Sequence, residues 1–449
     1  MSKSALAGLD IGTSSLKITL IDADNGNVIE NMKIGYPECE IAPGVVLAKT
    51  YEEIIKKALY TIEEKVSLIG IGLSCQMYSL CEQTEKGIVV YQWNSIWNKN
   101  PKAESVLKMY AKNSGCPIDT LYPSYKIASS DKHKFLPYGL KEYIIKMLSG
   151  ELITDYTCAT ASGLFDIKEK RWNIPLIKQL GFNESDMPIV NRYDTKLKIK
   201  SSKDGRVMAL SPGLGDGATA SFACLGISPI CANFGTSMAT RAVTNEISES
   251  YTDNPWVWSF DEKRYIVGGI SSNGCSVLNW AKEIGLLKDT DMKSKNSEVM
   301  FIPWIHGERT PYWSSNLRGT FTGIDVETDM NSLNKAIIKG VAFTAVKLMN
   351  IVYKNIDSLD NDIVIAAGGG VHLKELMEII SGCSPLRIGI LNDYDYLASY
   401  GAALTVAEAI GENIKRNIDV KEIINPNHAY EDEYNRWIKA SKALSNLYK

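Results

Sequence analysis

Asp10 closes a short apolar run and is followed at once by Gly12-Thr13-Ser14. A carboxylate at a strand end, beside a turn small enough for close approach by phosphate, is a position suited to Mg²⁺, which favours one or two carboxylates, several waters and phosphate oxygens. An Asx turn, with Asp10 bonding its own backbone, accounts for the same residues. Asp216 lies in Ser211-Pro212-Gly213-Leu214-Gly215-Asp216-Gly217, where glycines flank an acid that opens an apolar helix of small residues. A carboxylate there can accept a hydroxyl proton during phosphoryl transfer, and it can also cap the helix; the two roles are compatible. Residues 363–367 form an apolar run ending in Gly368-Gly369-Gly370. Consecutive glycines at a strand-to-helix junction either admit a flat or anionic ligand to the backbone or make a tight turn, and the helix that follows is expected to bury Leu373, Leu376, Met377 and Ile380 on one face.

Other chemistries find less support. The sequence has no Gly-Lys dipeptide, which excludes a Walker A loop, and it has no strand-borne GxGxxG. The four histidines, His133, His306, His372 and His428, show no metal-cluster spacing, and the nine cysteines form no CxxC pair, so they read as free thiols. His306-Gly-Glu-Arg-Thr-Pro-Tyr-Trp313 reads as an ordered surface loop held by Glu308 and Arg309.

These residues must be carried by an α/β framework, because short apolar runs alternate with segments of helical period. Residues 6–9 and 16–21 read as a hairpin around Gly12-Thr13-Ser14, and residues 230–234 and 239–243 repeat that arrangement around Gly235-Thr236-Ser237, about half a chain length further on. A duplicated pair of domains, each presenting such a turn toward a shared cleft, would hold a polyphosphate on backbone N–H groups and hydroxyls. Leu333, Ile337, Val341, Ala345 and Leu348 form the buried stripe of a helix over residues 332–351. The lysine-rich residues 196–205 read as an exposed loop, with the domain change after it, near Gly226.

Composition agrees with an ordered protein. The chain has 449 residues, 45% hydrophobic and 22% charged, with a net charge of −3, which leaves room for two large domains or three ordinary ones and argues against disorder, nucleic acid and membrane surfaces as partners. The charge-free stretch at 217–240 is too rich in Gly, Ser and Thr for a membrane helix. An acid within the first ten residues does not suit a signal peptide, so a cytoplasmic location is expected.

The motifs LAGLDIGTSSLKITLID (6–22), GLSCQMYSL (72–80), GLGDGATASFACLG (213–226), NFGTSMATR (233–241), GGISSNGCSVLNW (268–280), GERTPYW (307–313), AAGGG (366–370) and YGAAL (400–404), in that order, resemble the FGGY family of carbohydrate kinases. The resemblance implies two actin-like (ribonuclease H-like) domains with a catalytic cleft between them: residues 1–226 for the sugar, Mg²⁺ and the catalytic acids, and 227–449 for ATP. It makes Asp10 the Mg²⁺-associated acid and Asp216 the catalytic base, which is also in contact with the sugar. Gly12, Thr13 and Ser14, with Gly235 and Thr236, become phosphate turns, and Gly368, Gly369 and Gly370 lie beside the adenosine. Gln76, Met77, Tyr78 and Trp93 then face the sugar.

Within the family, residues 141–173, the SGCP at 114–117 and SNGCSVLNW look most like gluconate kinases, while Ser74-Cys75-Gln76-Met77 also looks like the substrate loop of pentulose kinases. The implied reaction is ATP-dependent phosphorylation of a sugar or sugar acid, gluconate first and xylulose second, and such kinases are compatible with a homodimer. The chain departs from the family's Trp-x-Asp-x-Arg, placing Ser95 and Trp97 at the acid and the arginine. Tyr78 replaces a common histidine, and Met238 follows Gly-Thr-Ser where glycine is usual and is expected to crowd that turn. These departures motivate an alternative of another class, a catalytically weak sugar or nucleotide sensor; a sugar-indifferent, chaperone-like ATPase is a third reading.

Overall fold

The computed structural model describes residues 4–130, 134–247, 253, 255–287, 292, 298–356, 362–392 and 395–448. His133 lies outside the described residues. The chain divides into two compact units. Unit 1 comprises Met1–Ala223, Val257–Tyr265 and Asp395–Asn417, and unit 2 comprises Cys224–Trp256, Ile266–Tyr394 and Ile418–Lys449.

The sheet of unit 1 is built from β1 (Ser4–Ile11), β2 (Ser15–Asp22), β3 (Val28–Gly35), β4 (Ser67–Cys75), β5 (Leu197–Lys200) and β6 (Val207–Gly215), in the spatial order β5-β6-β4-β1-β2-β3. β6, β4 and β1 run parallel, while β2 and β3 turn back antiparallel. Of residues 196–205, expected to be an exposed loop, 197–200 form a strand and only the turn at 202–205 is exposed throughout. Leu197 and Ile199 point inward, while Lys198 and Lys200 point to solvent, so the lysines mask the period-two alternation of an edge strand. Helix α1 (Ala48–Lys65) covers the sheet with Tyr51, Ile55, Leu59 and Ile62, and α2 (Leu140–Ser149) adds Leu140, Ile144 and Ile145 to the same core. The short α3 (Tyr156–Ala161) follows, capped by Asp155, and α4 (Asp216–Cys224) continues directly from β6.

In unit 2, β7 (Ile230–Phe234), β8 (Met238–Thr244), β9 (Tyr265–Ser271), β10 (Ile363–Ala367), β11 (Arg387–Leu391) and β12 (Val420–Ile424) stand in the order β9-β8-β7-β10-β11-β12. β7, β10 and β11 are parallel, and β8 and β12 are antiparallel to their neighbours. The hairpin-plus-parallel core of unit 1 thus recurs, although the antiparallel edge strand precedes its neighbour in unit 1 and follows it in unit 2. Helices α5 (Cys275–Glu283), α6 (Met330–Lys354) and α7 (Lys374–Ser381) pack around this sheet. The stripe read over residues 332–351 lies within α6. Its length and hydropathy would suit a membrane span, but 78% of that window is buried within the protein, as in a core helix. In α7, Leu376, Met377 and Ile380 are buried, whereas Leu373 precedes the helix and is exposed.

Helix α8 (Leu397–Ala409) returns to unit 1 and lies on β1 and β4. A Cβ at Gly8 would fall 1.8 Å from Ser399 O, and one at Gly72 would fall 1.8 Å from Ala402 O. Both glycines are thus required by close backbone approach.

Candidate functional site

The parallel strands β1, β4 and β6 end side by side, with Ile11 opposite Cys75 and Gly215 opposite Cys75. The residues at or just after these ends are Asp10, Gln76-Met77-Tyr78 and Asp216. Carboxyl ends of adjacent parallel strands are the usual ligand edge of an α/β sheet, because the chain leaves them as loops. Both acids are close enough to Cys75 to help raise its thiol pKa, after burial and Glu142.

Asp10 accepts a hydrogen bond from Ser74 Oγ at 2.7 Å, across the β1–β4 pair. Its carboxyl is pushed above the ordinary range by burial, against the opposing effects of Ser74 and Lys17. A divalent cation beside it would reverse that shift, and one carboxylate flanked by hydroxyl-bearing residues fits Mg²⁺ that retains waters and phosphate oxygens.

The Gly12-Thr13-Ser14 turn is held by a side-chain network anchored on Tyr51, a buried α1 residue that sequence reasoning missed. Gln76 Nε2 donates to Gly12 O at 3.4 Å and to Tyr51 Oη at 3.2 Å. Gln92 Nε2 donates to Thr13 O at 3.3 Å and to Tyr51 Oη at 2.6 Å. Trp93 Nε1 donates to Thr13 Oγ1 at 2.9 Å, while Thr13 Oγ1 donates to Gln76 Oε1 at 3.4 Å. Gly12, Thr13, Gln76 and Trp93 are therefore brought together, with Tyr51 and Gln92 as the connecting residues. Ser14 lines a surface cavity with Thr13, Tyr51 and Gln92.

Met77 packs against Gly215, where a Cβ would lie 2.6 Å from Met77 Cγ, so Met77 lies against the residue preceding Asp216. Tyr78 adopts φ +65°, with its ring edge-on to Tyr122 and Trp258. Its carbonyl and that of Gln92 accept from Lys126 Nζ, each at 3.1 Å. Lys126 is fully buried, and burial lowers its pKa to about 7. No sequence pattern marked it. The two departures from the family pattern serve structural roles: Ser95 Oγ donates to Gln92 O and receives Trp97 Nε1, and Trp97 packs with Tyr91 and Phe135. Asp216 begins α4 and accepts from the Gly217 N–H at 2.7 Å.

Unit 2 carries the other set of residues. Gly235-Thr236-Ser237 joins β7 to β8, and its carbonyls are gripped by the start of α5: Cys275 N–H donates to Gly235 O at 2.9 Å and Ser276 N–H to Thr236 O at 3.2 Å. Met238 does not crowd the turn, because its side chain is buried in the core of unit 2. In the glycine triplet, a Cβ at Gly368 or Gly370 would meet Phe234 O at 2.8 or 2.7 Å, whereas one at Gly369 meets nothing within 4 Å. Packing accounts for two of these glycines; only Gly369 faces open space.

The Glu308 segment is not a surface loop. Glu308 is buried, accepts from Ser271 Oγ at 2.8 Å and from the Arg309 N–H at 2.8 Å, and burial raises its carboxyl to about 7. Among the described residues no group of three or more His, Cys, Asp or Glu suited to a metal occurs, and none of the nine cysteines is in a disulfide.

Comparisons with known proteins agree with this geometry. Residues 5–205 match the N-terminal domain of the FGGY family of carbohydrate kinases, and residues 230–410 match its C-terminal domain. The chain is 23% identical to a gluconokinase of Bacillus subtilis, over 76% of this chain and 75% of that protein. It is 24% identical to a xylulose kinase of Staphylococcus xylosus, over 98% of each. Among solved structures, a gluconate kinase from Lactobacillus acidophilus superposes with a TM-score of 0.86 at 21% identity, covering 100% of this chain and 99% of that one. A xylulose kinase from the same organism gives 0.86 at 21% identity, covering 99% of each. With both family domains matched in order over most of its length, the chain belongs to the FGGY family of carbohydrate kinases, ATP-dependent phosphotransferases built on two actin-like domains.

Proposed function

We propose that the protein transfers the γ-phosphoryl group of ATP to a hydroxyl of gluconate, with Asp216 removing the hydroxyl proton as the bond to phosphorus forms. The observation that carries this reading is the convergence of Asp10, Gln76-Met77-Tyr78 and Asp216 at the ends of three adjacent parallel strands. In this reading residues 1–226 take the sugar on Gln76, Met77, Tyr78, Trp93 and Asp216, and residues 227–449 take the nucleotide. Gly12, Thr13, Ser14, Gly235 and Thr236 receive phosphate oxygens, and Gly368, Gly369 and Gly370 lie along the adenosine. Asp10 would hold Mg²⁺, whose chemistry is to neutralise charge on the phosphate oxygens. The action is placed in the cytoplasm.

Gluconate is favoured by the resemblance of residues 114–117 and 141–173 to gluconate kinases. Xylulose is the second reading, because the similarity to a xylulose kinase covers 98% of the chain against 76% for a gluconokinase. The test is ADP release with Mg²⁺ and ATP across aldonic acids, ketoses and polyols, with Asp216→Ala as control. Stimulation by gluconate that disappears in the variant supports the proposal. Stimulation by xylulose alone transfers it to the second reading, and binding of a sugar without turnover would make the protein a sensor.

A further inference from the structure

Three residues before Asp216, the β6 backbone breaks register: pairing with β4 skips between Ser211 and Leu214, and Gly213 adopts φ +59°. A Cβ at Gly213 would lie 1.7 Å from Leu73 O, so the bulge is pressed against β4. A bulge of this kind re-aims the residues that follow it, and it holds one shape only if its freed backbone groups are fastened.

The fastening comes from a buried charged pair. Lys141 on α2 and Asp155 at the cap of α3 are 2% and 0% exposed, with Nζ to Oδ2 at 2.5 Å. Lys141 Nζ also donates to Gly213 O at 3.0 Å. The other Asp155 oxygen accepts from the Thr157 N–H at 2.8 Å and from the Thr157 hydroxyl. That hydroxyl in turn accepts from the Gly215 N–H at 3.0 Å. One ion pair therefore anchors the carbonyl before Leu214 and the N–H after it, and the next residue is Asp216. The attraction between Lys141 and Asp155 acts in a dry interior, where it is strong and directional.

We infer that Lys141, Asp155 and Thr157 are positioning residues that set where the Asp216 carboxylate sits, and so act on the chemical step rather than on substrate affinity. This rests on the reading of Asp216 as the base. The decisive variants are Thr157→Val, which keeps the shape and removes the hydroxyl, and Thr157→Ser, which restores it. They are assayed beside Asp216→Asn with the acceptor giving fastest ADP release.

The expected result for Thr157→Val is a 10- to 100-fold lower kcat, a KM for ATP and for the acceptor within about twofold of wild type, and a displaced acid limb of the kcat–pH profile. Thr157→Ser should recover kcat to within about threefold. If Thr157→Val does not fold, Thr157→Ala replaces it with the same readings.

A wild-type kcat and pH profile in the valine or alanine variant, with Asp216→Asn inactive, overturns the positioning role alone. Loss of thermal stability with unchanged kcat does the same. Full activity in Asp216→Asn removes the base reading and the positioning role together.

Discussion

The two Gly-Thr-Ser turns look alike in sequence and are held in different ways. In unit 1 the register runs from Ile11 opposite Leu16, and the turn is tied down by the side chains of Gln76, Gln92 and Trp93, with Tyr51 behind them. In unit 2 the pairing of Phe234 with Met238 closes a turn one residue tighter, and its carbonyls are gripped by the first N–H groups of α5. Those N–H groups lack partners within their own helix, so the contact satisfies both sides. The first turn can therefore be loosened by editing side chains, whereas the second yields only to a change that moves backbone. Each unit also buries an ionisable group shifted toward its neutral form: the Lys126 amine in unit 1, whose pKa is lowered, and the Glu308 carboxyl in unit 2, whose pKa is raised.

The sharpest contrast is chemical. Asp216→Asn in unit 1 is expected to lower kcat by about 10²- to 10⁴-fold, the range for loss of a general base, with ATP affinity retained. Single-turnover ADP formation with equilibrium nucleotide binding checks this, and retention of full sugar-dependent turnover would remove the asymmetry between the units.

The second test uses pH. Glu308 titrates near 7 in the folded protein against an ordinary 4.5, so the folded state binds its proton more tightly than the unfolded chain does. Its contribution to stability is therefore lost as pH rises from about 4.5 to 7, an effect on the order of 3 kcal/mol. Lys126 titrates near 7 against an ordinary 10.5, so the unfolded chain holds its proton more tightly and stability is regained as pH rises from 7 toward 10.5, on the order of 5 kcal/mol. Urea unfolding of Glu308→Gln and Lys126→Met across pH 4 to 10 should remove the first slope in one variant and the second in the other. Slopes of the same sign would break the comparison.

Smaller effects probe the turns themselves. At Gly274 a Cβ would lie 2.6 Å from Gly235 O and 2.8 Å from Thr236 O. Gly274→Ala should destabilise by about 1–3 kcal/mol, the range for overpacking, and raise the KM for ATP, readable by thermal melts and steady-state kinetics. Tyr51→Phe withdraws the acceptor shared by two buried amides and should destabilise by about 1–2 kcal/mol, with a several-fold lower kcat/KM both for the sugar, which Gln76 faces, and for ATP, whose phosphates the turn receives. Unchanged kinetics for both substrates in Tyr51→Phe would show that the first turn is not governed by its side-chain network as described.

Much of the fold was legible because its signals are local. The β1–β2 and β7–β8 hairpins follow from apolar runs around small-residue turns, and α6 follows from its 3.6-residue stripe. The order of motifs carried the family. Residues 197–200 were misread because lysines at alternate positions hid a two-sided strand, and Glu308 was misread because a charged loop suggests solvent until its partners Ser271 and Asn273 are seen.

By itself, the sequence determined the residue types that chemistry needs, the turns that present them and the apolar periodicity of the elements behind them, since each depends on neighbours a few positions away. Only the tertiary structure decided that Tyr51 joins Gln76 to Gln92, that Lys126 lies buried under Tyr78, and that Lys141 reaches Gly213, 72 residues away, through a pair with Asp155. Those contacts arise where parallel strands and their covering helices bring distant segments together, and a buried polar side chain carries no periodic mark of the partner it will meet.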